Sequence, residues 1–218
     1  MYCYGDCFLG LYYTCSIIVE KKIIAAFDFD GTITSKDTLI EFIKYATGKF
    51  CFYKGIILYS PLLLVYKLKL FPNWKMKQLL FSHFFRRISL VQFDAICRAF
   101  YREKGQGLFR KDACEAVQRH IAHGDTVIIV SASIENWVLP FGESLGVDVV
   151  VGTKVDINEL GNLTGRFLTT NCYGMEKVKR INQLYPHRNT YYLIAYGDSR
   201  GDKELLSFAD EAYYQSFE

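Results

Sequence analysis

Residues 23–34 read Ile-Ile-Ala-Ala-Phe-Asp-Phe-Asp-Gly-Thr-Ile-Thr, an apolar run that ends in two aspartates one residue apart. Such a run predicts a β-strand over 23–30, and its carboxylates must emerge at a sheet edge, because burying two charges inside would cost several kcal/mol each. At the carboxyl end of a parallel strand, that edge is the crevice where open α/β sheets bind ligands. Side chains repeat every two residues along a strand, so Asp28 and Asp30 share a face, and Gly31 and Thr32 turn the chain tightly behind them. Like charges placed together call for a cation or a shared proton. The bland alternative is a pair of strand-end and turn carboxylates, with Thr32 or Thr34 merely capping a helix.

Three further stretches weigh against that alternative. Thr126–Val130 form a second β-branched run that stops at Ser131-Ala132-Ser133, ahead of a helix expected near Ile134. A hydroxyl and loop N–H groups at such a turn suit phosphate oxygens, although a serine there is more often just a cap. Gly174-Met175-Glu176-Lys177 opens a helix through Leu184, and a lysine in its first turn opposes the helix dipole, which points to an anionic partner. Tyr191–Tyr196 form another apolar strand, followed by Gly197-Asp198-Ser199-Arg200-Gly201-Asp202, whose two carboxylates suit a Mg²⁺ site.

An Asp pair, a Ser, a Lys and a second Asp pair, in that order and at these spacings, resemble the four motifs of the haloacid-dehalogenase (HAD) superfamily of phosphohydrolases. The resemblance covers about residues 22–215. The Ser-Ala-Ser-Ile-Glu-Asn-Trp stretch and Asn171–Lys177 are similar to the phosphoserine-phosphatase-like branch, which includes bacterial phosphatidylglycerophosphate phosphatases. The resemblance implies Asp28 as nucleophile, forming an aspartyl phosphate, and Asp30 as general acid and then base. It implies Mg²⁺ on Asp28, the Asp30 carbonyl and Asp198, with Asp202 and Thr32 in support. Ser131 and the N–H of Ala132 would hold phosphate oxygens, and Lys177 rather than Lys179 would balance the charge. Asp37 stands where phosphoserine phosphatases place a glutamate for the substrate ammonium, and its shorter side chain weakens that expectation. Ser133 and Gly201 replace a glycine and an asparagine usual in that branch.

With 218 residues and half of them apolar, the chain can bury one good core and carry an inserted module. Strands near 23–30, 126–132, 147–152, 191–197 and 211–214 alternate with helical stretches, which predicts an α/β fold, a doubly wound parallel sheet. Gly161-Asn162 marks a small hairpin. Nearly a hundred residues separate the first two motifs, too many for a loop, so residues 38–106 are expected to form a helical cap between core segments 22–37 and 107–218.

The cap is strongly basic. Lys44–Arg110 hold 13 Lys plus Arg against two acids, so this segment carries +11 in a chain of net +3, and the rest carries −8. Inside it, Gly55–Tyr66 is uncharged, with Lys54 before it, Lys67 and Lys69 after it, and Phe50, Phe52, Tyr53, Phe71 and Trp74 nearby. Twelve residues with a proline cannot span a bilayer, but these flanks suit an interfacial segment, as well as a buried hairpin with a solvated basic face. Expected partners are therefore a phosphomonoester and an anionic membrane surface. No nucleic-acid module is legible. The substrate expectation stands between a lipid phosphate and a small soluble ester such as phosphoserine; a non-catalytic phospho-acceptor or membrane-binding module is the rival of another class.

Seven cysteines without regular pairing read as buried or free thiols of a reducing compartment, which places the chain in the cytoplasm; the interfacial reading of the basic cap would place it peripherally on the inner face of the membrane. Cys3 and Cys7 lack the second pair a zinc site needs. Residues 1–21 form an apolar extension in which Phe8–Val19 lack a basic region before them, unlike a cleaved signal. His83, beside Phe84 and Phe85, reads as a packing residue.

Overall fold

The computed structural model describes residues 21–68 and 70–217, so the expectations for Cys3, Cys7 and Phe8–Val19 lie outside the described residues. Five parallel strands form the central sheet: β1 (Lys22–Phe27), β2 (Thr126–Ile134), β3 (Val149–Thr153), β6 (Tyr191–Gly197) and β7 (Glu211–Tyr214), in the spatial order β3-β2-β1-β6-β7. After β1 the sheet grows first to one side and then to the other, so β1 sits at the topological switch point, where the strand ends leave a crevice.

Both faces of the sheet are covered. Ile24 and Ala26 of β1 join Ile128, Leu193 and Leu205 beneath α7 (Met175–Leu184) and α8 (Lys203–Phe208). Ala25 and Phe27 face the other way, into a cluster with Ile129 and Phe141, where α5 (Lys111–His123) and α6 (Glu135–Leu145) pack. This period of two, apolar on both sides, is what a central parallel strand requires.

Four helices are inserted between β1 and β2: α1 (Thr38–Leu58), α2 (Ser60–Lys67), α3 (Asn73–Phe85) and α4 (Leu90–Lys104). Their core is aromatic and continuous with that of the sheet. The Phe42 ring lies 4.8 Å from Trp137 of α6 and within 5.3–5.7 Å of Phe85, Phe93 and Phe100. A hairpin of β4 (Val155–Ile157) and β5 (Leu163–Phe167) clasps this insertion from below: Arg87 N–H donates to the Leu163 carbonyl and Leu163 N–H to that of Ile88. Gly105–Gly107, which follows α4, is a short 3₁₀ turn.

Three boundaries differ from the sequence reading. β1 ends at Phe27 rather than 30, because Ile33 and Thr34 N–H groups both bond back to the Phe29 carbonyl and close a turn. β2 runs past Ser131 to Ile134, accommodated by a register shift against β3 after Val130. β3 begins at Val149, with Asp148 instead accepting the Val127 N–H through its side chain.

Phe27, Tyr196 and Tyr213, at matched positions on β1, β6 and β7, stack ring on ring, with centroids 4.2 and 4.8 Å apart and planes inclined by 4° and 7°. His83 packs edge-on against Phe84 and Tyr59, as its surroundings suggested. Cys51, Cys97, Cys114 and Cys172 are unpaired thiols. Among the described residues, no single helix is long and apolar enough to cross a membrane; α1 and α2 together have the composition but meet at a 66° bend.

Candidate active site

The carboxyl ends of β1, β2 and β6 deliver their side chains to one crevice. Asp28 follows β1, Asp198 follows β6, and Ser131 lies on the irregular end of β2. Asp28 N–H still donates to the Tyr196 carbonyl, so the aspartate is fixed by the sheet itself. Gly31, with φ +86°, forms the turn behind it, and a Cβ there would collide with the Asp198 carboxylate. A left-handed residue without a side chain is therefore needed for Asp198 to approach Asp28.

Lys177 joins these groups. It is fully buried in the first turn of α7, and its Nζ donates to Asp28 Oδ1 and Asp202 Oδ1, both at 2.5 Å. Asp202 spends its other oxygen on Ser199, accepting from its hydroxyl at 2.7 Å and its N–H at 3.0 Å. Burial pushes the Asp28 carboxyl up to about 7, against the pull of Lys177 and with the push of Asp202. Burial opposes the charge on Lys177, but Asp28 and Asp202 outweigh it and hold the ammonium above its ordinary range. Burial likewise opposes the charge on Asp202, and Lys177 more than compensates, so Asp202 is held low. Asp198 is raised by burial and by Asp202.

Carboxylate oxygens of Asp28, Asp198 and Asp202 lie within 4.8 Å of one another. Because Asp202 already serves Lys177 and Ser199, Asp28 and Asp198 are the pair with capacity for a cation. Hard oxygen donors of this kind suit Mg²⁺, which usually takes one or two carboxylates and keeps waters. Thr32 Oγ donates weakly to Asp198, at 3.5 Å.

Asp30 has a separate set of partners. Its Oδ1 accepts from Thr38 N–H (2.8 Å) and Thr38 Oγ (2.6 Å), and its Oδ2 from the Ser133 hydroxyl. Trp137 Nε1 donates to Thr38 Oγ at 3.2 Å, which ties this carboxylate to the aromatic core. Ser131 Oγ accepts the Ser133 N–H at 3.0 Å.

A cavity of about 400 Å³ opens over this cluster. Asp28, Asp30, Ser131, Ala132 and Lys177 form its floor, while Ile40, Leu63, Tyr66, Asn73, Met76, Lys77 and Leu80 from α1, α2 and α3 form its roof. Asp28, Asp30, Ser131, Ala132 and Lys177 thus converge on one cavity, Asp198 and Thr32 line a separate hollow with Gly31, and Lys179 lies apart, paired with Glu176 on the surface. Asp37 lines the cavity too, but its Oδ1 accepts the Leu39 N–H and caps α1. Burial, then Asp30, raises its carboxyl.

Sequence reasoning missed Thr38, Trp137 and Lys77. Thr38 directly follows a helix-capping aspartate, a signal that was available; Lys77 carries none, because the folding back of α3 over the crevice is a tertiary event. The substitutions Ser133 and Gly201 gain reasons here. Ser133 supplies a donor to Asp30, and a Cβ on Gly201 would meet the Tyr173 ring at 2.5 Å.

A buried aspartate paired to a lysine at the switch point, with a second strand-end aspartate beside it, defines a phosphatase-type hydrolase centre. Comparison with known proteins agrees: residues 25–207 match the haloacid dehalogenase-like hydrolase family. The chain is 32% identical to Protein CicA of Caulobacter vibrioides over 91% of its own length and 88% of the relative's. A Histidinol-phosphatase of Neisseria meningitidis is 28% identical over 44% of this chain and 45% of its own. In fold, a Bordetella pertussis protein of unknown function superposes with TM-score 0.77 at 21% identity, covering 88% of this chain and 89% of the other. A substrate-bound phosphoserine phosphatase superposes with TM-score 0.59 at 18% identity, over 89% and 86%. The chain belongs to the haloacid dehalogenase-like hydrolases, with the fold of their phosphoserine-phosphatase-like branch.

Proposed function

We propose that this hydrolase is a Mg²⁺-dependent phosphomonoesterase working through an aspartyl phosphate on Asp28, with residues 38–106 as its cap. The observation that carries the reading is the buried Asp28–Lys177–Asp202 cluster beside Asp198, set under a cavity whose other carboxylate, Asp30, is held by its own three donors. Asp28 attacks phosphorus in line as the P–O bond to the leaving group breaks, and Asp30 gives that alkoxide its proton. Asp30, now ionised, takes a proton from water as the water's oxygen attacks the phosphoryl group, which frees phosphate and restores Asp28. Ser131 and the Ala132 N–H hold phosphate oxygens, and Lys177 offsets the charge that gathers on them. Mg²⁺, held by Asp28, Asp198 and the Asp30 carbonyl, would neutralise and orient the phosphoryl group.

For the leaving group, Leu63, Tyr66, Met76 and Leu80 beside the cationic Lys77 favour an amphiphilic ester, a lipid phosphate such as phosphatidylglycerophosphate. The basic cap then works on an anionic membrane, at the cytoplasmic face. The second reading, a small soluble ester such as phosphoserine, is favoured by Asp37 in the same cavity and by the names of the histidinol and phosphoserine phosphatases above. A non-catalytic phospho-acceptor would have no use for an oriented Asp30. Hydrolysis of an aryl phosphate should require Mg²⁺, stop with EDTA, and vanish in Asp28→Asn; equal rates in all three overturn the chemistry. A panel of lipid and soluble phosphomonoesters separates the two leaving groups.

A further inference from the structure

Most exposed apolar side chains of a folded chain are scattered, and a contiguous set marks a contact surface. Here the set is concentrated on one part of the cap. Beyond Gly48, whose left-handed backbone breaks α1, the helix exposes Phe50 (81%) and Ile57 (71%), with Tyr53 and Leu58 between and beside them. After the bend at Tyr59-Ser60-Pro61, α2 continues with exposed Leu64 (61%) and Val65, followed by Leu68 and Leu70. Phe50, Tyr53 and Ile57 recur at three- and four-residue spacing, so they share one helix face.

The surroundings of this elbow are basic. Lys49 and Lys54 are exposed on the same stretch of α1, Lys75 stands over the half-exposed Trp74 ring, and Arg86 and Arg87 end α3 in solvent. They belong to the segment with +11 in a chain of net +3. A folded protein partner would need complementary shape, whereas an anionic bilayer meets both features at once: apolar side chains enter the interface, and each nearby lysine or arginine is attracted to the headgroups. Leu39, Phe42 and Ile43 keep the first half of α1 in the protein core, and the 66° bend that follows suits an elbow lying along such a surface.

We infer that the α1–α2 elbow seats the protein on anionic lipid, and that α2 is the wall shared by membrane and active site. Leu64 and Val65 face outward, while Leu63 and Tyr66 of the same helix line the cavity above Asp28. A phosphate on an amphiphile therefore reaches Ser131 and Lys177 from the bilayer by passing one helix thickness, with its apolar part along Leu63 and Tyr66. The seating stands without any assumption about the substrate; the route rests on the lipid-phosphate reading above.

The test is co-sedimentation of the full chain with phosphatidylcholine vesicles, with and without phosphatidylglycerol, at low and high salt, beside aryl-phosphate turnover of the same samples. The expected result is binding at least about tenfold stronger to the phosphatidylglycerol vesicles, weakened by salt. The double variant Ile57→Glu/Leu64→Glu should lose at least about tenfold of that binding, since two apolar insertions become charged. Both positions are exposed, so its melting temperature and aryl-phosphate turnover should match the parent. Lys49→Glu/Lys54→Glu should lose the preference for anionic vesicles. A parent chain that stays in the supernatant, or an Ile57/Leu64 variant that binds unchanged, overturns the inference, as does an elbow found by sedimentation equilibrium to join two copies of this chain. Aryl-phosphate turnover without vesicle binding would refute the seating and leave the phosphatase reading intact; vesicle binding without turnover would do the reverse.

Discussion

The floor and the roof of the catalytic cavity are built on different principles. On the floor each polar group has an assigned partner: Lys177 holds two carboxylates, Asp202 is fully engaged, and Asp30 accepts three hydrogen bonds. On the roof, among the described residues, the side chains of Tyr66, Asn73 and Lys77 line the cavity with no hydrogen bond or ion pair to the rest of the chain. A preorganised floor suits chemistry common to many esters, whereas an uncommitted roof suits recognition of one leaving group.

The contrast breaks most severely at Lys177. Its replacement by Met should abolish turnover and cost about 3–5 kcal/mol of stability, because Asp28 and Asp202 would be left as buried, uncompensated acids. Chemical denaturation measures this, and an unchanged midpoint would mean the floor is not held by its ion pairs. Within the floor, Asp30→Asn should slow turnover by about 10²-fold or more with Mg²⁺ affinity intact, while Asp198→Asn should weaken Mg²⁺ affinity and recover in excess metal. Identical metal dependence in both would merge two roles that the geometry keeps apart.

Acidity gives a subtler test. Asp28 is raised from 3.8 to about 7, so the folded state favours its protonated form. Its contribution to stability is present below about pH 4 and is lost as pH rises through about 7, so the metal-free protein should lose stability across that window relative to Asp28→Asn. Mg²⁺ needs the carboxylate, and its affinity, followed by calorimetry, should weaken as pH falls below about 7. The smallest effect on the fold belongs to the roof. Lys77→Ala should change stability by less than about 0.5 kcal/mol yet reorder the preferred substrates, because a partly exposed side chain that has no hydrogen bond or ion pair among the described residues, and only the charge attraction of Asp37, has little to lose but its ligand. A variant with the parent's substrate ranking would remove Lys77 from recognition.

The same division explains what the sequence disclosed. Asp28 and Asp198 follow strands with strong apolar signals, Ser131 lies near the end of β2 and Lys177 opens α7, so each stood out in the local pattern, while their roles came from the family resemblance. The sheet and the hairpin were legible for the same reason. Strand ends were less so, since the stop of β1 at Phe27 depends on the turn bonds to the Phe29 carbonyl and the run of β2 to Ile134 on a register shift. Roof residues come from helices whose placement is decided by the packing of Phe42, Phe85 and Trp137, contacts distant in sequence. Asp37 illustrates the limit: one carboxylate both caps α1 and faces the cavity, and only the fold displays the two together.

The stack of Phe27, Tyr196 and Tyr213 has a bearing on metrology. Phe27 immediately precedes Asp28, and Tyr196 lies two residues before Asp198, so the rings clamp the two strands whose tips carry the paired acids. With planes only 4° and 7° from parallel, sliding either strand by one position would unstack the whole column and turn every side chain to the opposite face. The gap between the two acids is thus gauged by the spacing of two paired strands, whose register the ring column reinforces, rather than by a flexible loop, and the calliper is set before any ion arrives.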